Sequence, residues 1–231
     1  MIQRTPEWYR NRLGHITGSN VGKLMVSGRK KDEMFGKTAM SYIHEVAGER
    51  LLDPDMVADD ERFAEWLERS HPMTRPMRWG VEQEPVARDL VSIRKSFNVA
   101  ECGSYRDVSG AFWSSPDGVV MSAEGDKVVI AVEIKTVGVK AALEYSQMQA
   151  PEDLKEINSD YYWQMMAEIA ATGAEIGFFC VYCPDLEVDC RLQVLTVLPD
   201  EQAIASLRER AVAANKEIER IINRKLFVCN R

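Results

Sequence analysis

The chain has 231 residues, 45% of them hydrophobic, which is enough to bury one sizeable core and a tight fit for two. No stretch approaches the roughly 20 consecutive apolar residues that cross a bilayer, and the charged residues 1–12 lack the apolar run expected of a signal peptide or membrane anchor. The net charge of −7 argues against a uniformly basic nucleic-acid binder, but residues 1–40 hold eight Lys and Arg against three acids, and the remainder 21 against 33. A local basic patch of that kind can hold phosphate while an acidic exterior keeps the protein soluble.

In chain order, Pro6 and the run from Glu7 to Leu13 read as a short opening helix. Thr17-Gly18-Ser19 offers capping residues ahead of Val21-Gly22-Lys23-Leu24-Met25. Residues 27–37 form a polar, basic loop. Residues 39–52 carry helical spacing through Met40, Ile43, Val46, Ala47 and Leu51, stopped at Asp53-Pro54-Asp55. Acids crowd residues 53–68, an exposed loop and helix, and residues 69–76 look irregular. Residues 78–97 resume a helix in which Val81, Val86, Leu90 and Ile93 are expected to share a buried stripe.

The middle of the chain changes character. Residues 110–121 and 127–135 are rich in Val, Ile and aromatics and are broken by Asp117-Gly118 and Glu124-Gly125-Asp126, a strand, turn, strand pattern. Residues 159–172 are helical, with Ser159 or Asp160 as the expected cap. Residues 176–183 and 191–198 read as two further strands. Asp200 caps a long amphipathic helix through Ile204, Leu207, Ala211, Ile218, Ile221 and Ile222. Helices, strands, helix, strands and helix in that order suggest an α/β fold around a central mixed sheet.

Chemistry concentrates in Ser115-Pro116-Asp117-Gly118 and Glu133-Ile134-Lys135. On a strand, Glu133 and Lys135 project from one face. A hairpin folded at residues 124–126 would return Asp117 toward Glu133 and converge two carboxylates and an ammonium. Carboxylate oxygens are hard ligands that suit Mg²⁺, and such a centre can activate water against a phosphodiester. Lys135 would orient the water, stabilise charge on the phosphate or act as a base. The structural alternative makes Asp117 a turn residue and Glu133 with Lys135 a solvated strand face. Against it, both charges extend the apolar strand Val128-Val129-Ile130-Ala131-Val132, where charges need partners.

Pro116-Asp117-Gly118 with Glu133-Ile134-Lys135 resembles the PD-(D/E)XK nuclease signature. The flanking segments narrow the resemblance to the phage lambda-type alkaline exonucleases, the viral recombinase nucleases. Residues 12–19, Arg-Leu-Gly-His-Ile-Thr-Gly-Ser, resemble that family's opening R-x-G-x-I-T-x-S. Trp79-Gly80-Val81-Glu82-Gln83-Glu84 resembles its W-G-x-x-x-E helix, and Tyr161-Tyr162-Trp163-Gln164 its helical Y-x-x-Q. Four motifs in family order cover residues 8 to about 185.

The resemblance implies a restriction-endonuclease-like core, a mixed sheet flanked by helices. It would be a single nuclease domain, with a helical DNA-end-binding part over about residues 1–100, a catalytic sheet core over about 101–198 and a C-terminal helix over about 200–226. It implies catalytic roles for Asp117, Glu133, Lys135 and Gln164, and a ligand set of Asp117, Glu133, Ile134 and Glu84, the last at the start of its helix. These would hold one or two Mg²⁺ ions, with Mn²⁺ able to substitute. Arg12 and Ser19 would hold the 5′-phosphate of a duplex end, with Arg29 and Lys30 as further DNA contacts. Related nucleases often carry Tyr four residues after the Gln, where this chain has Glu168.

The implied activity is 5′-to-3′ degradation of one strand of linear double-stranded DNA, leaving 3′ overhangs for recombination. A homotrimeric ring, a single-strand annealing partner and the host cytoplasm are implied with it. A restriction-type or repair endonuclease on the same core, and a non-catalytic DNA-binding or assembly module, are the alternatives. Cys180, Cys183 and Cys190, with Cys102, loosely resemble the ligands of iron–sulfur nucleases, but Cys180 and Cys183 lie in an apolar strand and read as small core residues. Five irregularly spaced cysteines make no disulfide framework and suit a reducing compartment. The five tryptophans read as core, none assigned to DNA.

Overall fold

The computed structural model describes residues 3–29 and 33–229, with side chains up to residue 224. Helix α1 (Pro6–Arg12) opens on Thr5, whose hydroxyl accepts from the Trp8 N–H, with Pro6 at a position where its missing N–H costs nothing. A 3-10 turn at Gly18–Asn20 leads into the single turn α2 (Val21–Leu24). The capping expected from Thr17 and Ser19 does not form. No side chain caps either turn, because Thr17 accepts instead from the Asn20 amide at 3.1 Å and Ser19 faces Arg12.

Helices α3 (Lys37–Glu49), α4 (Pro54–Ala58) and α5 (Asp60–Ser70) follow. Asp53 and Asp59 cap the last two by accepting from the Asp55 and Arg62 N–H groups, so part of the acidic run serves helix starts. Helix α6 (Arg75–Lys95) contains Pro85. Its buried face is not the expected stripe: Glu84, Ala87 and Val91 are buried, whereas Val86 is 49% and Ile93 75% exposed. The small Ala87 and Val91 allow close approach to the sheet, and the spacing of 84, 87 and 91 selects a face about 130° from Val86.

Strands β1 (Tyr105–Arg106) and β2 (Trp113–Ser114) form a small antiparallel ribbon. Beyond it lie β3 (Gly118–Met121), β4 (Val128–Thr136), α7 (Val139–Tyr145), α8 (Pro151–Ile157), α9 (Ser159–Thr172), β5 (Ile176–Tyr182), β6 (Leu192–Val197) and α10 (Glu201–Cys229). The main sheet runs β3-β4-β5-β6, with β4 and β5 parallel and the outer pairs antiparallel. A parallel pair needs a long crossover, and α7, α8 and α9 supply it. The cap of α9 is Asn158, whose side chain accepts from the Tyr161 N–H, rather than Ser159 or Asp160, which fall inside the first turn. Asp200 accepts from the Gln202 and Ala203 N–H groups and starts α10 as expected.

The two sheet faces bury separate clusters. Ile130, Val132 and Ile134 of β4 pack with Phe178 and Cys180 against Ala87 and Val91 of α6. On the other face, Phe179 and Val181 meet Met165, Met166 and Ile169 of α9, backed by α2, α3 and α10. Period-two alternation therefore sends Glu133 and Lys135 toward α9. Cys180 and Cys183 are fully buried and Cys190 is exposed. Of the tryptophans expected in the core, Trp163 is partly buried and packs against it. Trp8 and Trp66 line a cleft instead, where an amphipathic ring meets both packing and solvent. No helix among the described residues is long and apolar enough to cross a membrane.

Candidate active site

Asp117 lies in the turn that enters β3. Antiparallel register sets Gly118 opposite Val132, so one step back along the turn brings Asp117 level with Glu133. Its Oδ2 accepts from the Ile134 N–H at 2.8 Å, which fastens the turn to β4. The residues between Gly118 and Glu133 are spent on two strands and a turn in which Ser122 and Lys127 are bonded through their backbones. Sequence distance is thereby converted into contact.

Glu133 is 3% exposed, and its Oε1 accepts from Lys135 Nζ at 2.5 Å and from Gln164 Nε2 at 2.7 Å. Lys135 Nζ also donates to Gln164 Oε1 at 3.1 Å and sits 4.5 Å above the Tyr161 ring. Gln164 Nε2 donates in turn to Glu168 Oε1 at 2.9 Å. Tyr161, Gln164 and Glu168 share one face of α9 through their three- and four-residue spacing. Among the described residues, two buried oxygens in this cluster, Glu133 Oε2 and Glu168 Oε2, have no hydrogen-bond partner. Such orphaned carboxylate oxygens are costly without a proton or a cation.

Glu84 stands in the middle of α6, not at its start. Its carboxylate pairs with Arg4 and, at 2.5 Å, with Arg88. Arg88 Nε donates to the Asp117 carbonyl at 2.9 Å, tying α6 to the same turn. The Glu84–Arg88 spacing of four was legible as a helix-face pair. Arg4 carried no such signal, because its partner lies 80 residues away. Ile134 can offer only its backbone carbonyl, since its side chain packs on the α6 side of the sheet.

Arg12 and Ser19 also come together. Arg12 donates to Ser115 Oγ at 2.8 Å and to Ser19 Oγ at 3.5 Å, and its guanidinium lies 4.2 Å from the Trp8 ring centroid. Gly18 is what lets this loop close: a Cβ there would fall 2.0 Å from Ser114 Oγ and 2.9 Å from Ser114 Cβ. Gly18→Ala is expected to cost about 1–3 kcal/mol through overpacking, read as a lowered denaturant midpoint. An unchanged midpoint would show that the loop yields freely. Arg29 is exposed and does not line the cleft described below. Lys30 lies outside the described residues.

Asp117, Glu133, Lys135, Gln164, Glu84, Arg12 and Ser19 all line one cleft of about 710 Å³. Burial first, and then the Glu133 and Glu84 charges, push the Asp117 carboxyl well above its usual range. Burial and the neighbouring Glu133 do the same to Glu168. Burial disfavours the Lys135 ammonium, but Glu133 and Asp117 outweigh it and hold Lys135 protonated. Held as an ammonium, Lys135 can stabilise negative charge on a phosphate. On another wall of the cleft, Glu45, Glu49 and His71 place one ligand atom each within 4.8 Å of one another. The Asp117, Glu133 and Glu84 carboxylates are not drawn as close, and Glu84 is paired with Arg4 and Arg88. The donor set nevertheless fits a hard divalent cation: Asp117, Glu133 and Glu84 line the same cleft, and one of their oxygens, Glu133 Oε2, is buried without a hydrogen-bond partner among the described residues.

The fold is similar to that of solved exonuclease structures. An alkaline exonuclease from Laribacter hongkongensis, LHK-Exo, superposes with a TM-score of 0.73 at 24% identity over 98% of each chain. Its complex with dAMP gives 0.72 at 24% identity, again over 98% of each chain. A phage-related exonuclease from Haemophilus somnus 129PT gives 0.67 at 13% identity, over 91% of this chain and 96% of that one. No curated protein matches the chain. The chain belongs to the YqaJ-like viral recombinase domain family, whose model matches residues 7–175.

Proposed function

We propose that the protein is a divalent-metal-dependent exonuclease that degrades one strand of linear double-stranded DNA from the 5′ end, leaving 3′ overhangs for recombination. The observation that carries this reading is the joint placement of Asp117, Glu133, Lys135 and Gln164 in one hydrogen-bonded cluster, in the cleft that also holds Arg12 and Ser19. Family membership and the fold shared with alkaline exonucleases support it.

In this reading Asp117, Glu133, the Ile134 carbonyl and Glu84 hold Mg²⁺, with Mn²⁺ as a substitute. When bound, the cation supplies Lewis acidity at the scissile phosphate and lowers the pKa of the attacking water. Lys135, held as an ammonium, stabilises negative charge gathering on the phosphate. Gln164 orients Glu133 and Lys135 by bonding both. Arg12 and Ser19 bind the terminal 5′-phosphate, the guanidinium through its planar fork. A ring of three copies, a single-strand annealing partner and action in the host cytoplasm complete the proposal.

The test compares linear duplexes bearing 5′-phosphate or 5′-hydroxyl ends, and a covalently closed circle, with Mg²⁺ and with chelator. Expected are digestion of the phosphorylated duplex only with Mg²⁺, a loss of about 10-fold or more for the 5′-hydroxyl, as a charge-assisted contact is removed, and an intact circle. Arg12→Ala is expected to erase the preference for the phosphate. Cleavage of the closed circle would replace the exonuclease with an endonuclease.

A further inference from the structure

The N-terminal residues Gln3 and Arg4 reach the cluster described above. Gln3 is 8% exposed. Its amide donates to the carbonyl of Pro116 at 2.7 Å and to that of Cys102 at 3.1 Å. It therefore grips the residue immediately before Asp117. Arg4 follows with a φ of 64°, in the left-handed region that a side-chain-bearing residue rarely occupies. Glycine would meet that backbone demand more cheaply, so the position is held by a residue whose side chain has a use.

That side chain ends at the Glu84 carboxylate. Counter-charge for Glu84 is already supplied by Arg88, whose side chain is 12% exposed and also bonded to the Asp117 carbonyl. Arg4 differs in being 30% exposed and in lining the cleft, which Arg88 does not. A guanidinium presents five donors in a rigid fork and can rest one edge on a carboxylate while the other meets a phosphate.

We propose that Arg4 is a further substrate-binding residue, contacting a backbone phosphate of the duplex beside Asp117, with Gln3 and Glu84 as the positioning residues that aim it. The proposal rests on the nuclease reading given above. It would make the stretch ahead of α1 part of the DNA-binding surface, and it assigns Glu84 a second duty besides any share in holding a cation.

The experiment measures binding of a 5′-phosphorylated linear duplex to the full chain in Ca²⁺, which takes the same oxygen ligands, across a salt series. Each phosphate neutralised contributes about −0.9 to the slope of log K against log salt. Arg4→Gln is expected to flatten the slope by about that amount and to weaken binding roughly 10-fold at low salt. Arg4→Lys is expected to keep the slope but weaken binding several-fold, because the charge remains and the fork is lost. Gln3→Ala is expected to shift binding in the direction of Arg4→Gln. A wild-type slope in Arg4→Gln would overturn the proposal. So would restored binding in the Arg4→Gln, Glu84→Gln double variant, which would reduce Arg4 to a counter-charge for Glu84. Should Arg4→Gln fail to fold, Arg4→Lys decides, and an unchanged affinity there rejects the contact. Failure of the nuclease reading is seen separately, in wild-type protein that neither binds nor degrades linear duplex.

Discussion

Asp117→Asn is expected to slow degradation of a linear 5′-phosphorylated duplex by on the order of 10³ or more, since a metal-bound carboxylate supports several kcal/mol of transition-state stabilisation at about 1.4 kcal/mol per decade. The fold should survive. Asparagine retains an oxygen to accept from the Ile134 N–H, the bond that fastens the turn to β4. Removing a carboxyl whose ionisation burial, Glu133 and Glu84 oppose should even raise the melting temperature in chelator. Single-turnover cleavage and thermal unfolding check the two halves separately. Activity within about 10-fold of wild type would remove Asp117 from the metal set.

The second large effect is on stability against pH. Folded Asp117 and Glu168 both have raised pKa values, because burial and then neighbouring carboxylates disfavour their charged forms. A group that holds its proton more tightly folded than unfolded contributes stability that is complete below its unfolded pKa. That contribution is lost as pH rises through the folded value. In chelator the melting temperature should therefore fall as pH rises above the ordinary carboxylate range. By then, carboxylates with depressed values, such as Asp107 beside Arg208, have already made their contribution. In the proposed function Mg²⁺ would take the place of the protons, so its stabilisation should grow with pH. At about 100 times its Kd it would add roughly 2.7 kcal/mol, or about 5–10 °C for a chain of this size. Glu168→Gln should flatten the decline, since the amide needs no proton to sit against Glu133. A variant that declines in parallel with wild type would clear Glu168 of responsibility.

Glu168 also shows why the position four residues after Gln164 could not be settled from the motif alone. The expected aromatic is missing, yet the position is neither empty of role nor exposed: it is a buried carboxylate accepting from Gln164. The spacing marks it as sharing a face with Gln164, but only the packing of α9 on β4 brings Glu133 to that face. The α6 helix teaches the same lesson in reverse. Its apolar residues could be read onto more than one stripe, and the stripe written from Val81, Val86, Leu90 and Ile93 points partly to solvent. What selected the other face was the close approach of Ala87 and Val91 to the sheet and the two arginines that satisfy Glu84.

Local chemistry determined much by itself. Period-two alternation and a turn at Glu124-Gly125-Asp126 were enough to fold β3 onto β4 and to bring Asp117 back toward Glu133. Helical spacing and the breaks between segments were enough for the order of most elements, including α9 and the Asp200-capped α10. These features depend on neighbours within a few residues, or on a single hairpin. Tertiary structure alone decided the contacts that span the chain: Gln3 on Pro116, Arg4 on Glu84, Arg12 on Ser115 and Gln164 on Glu133. Each depends on which helix packs on which face of the sheet, a choice made by the summed burial of both clusters and written in no local pattern.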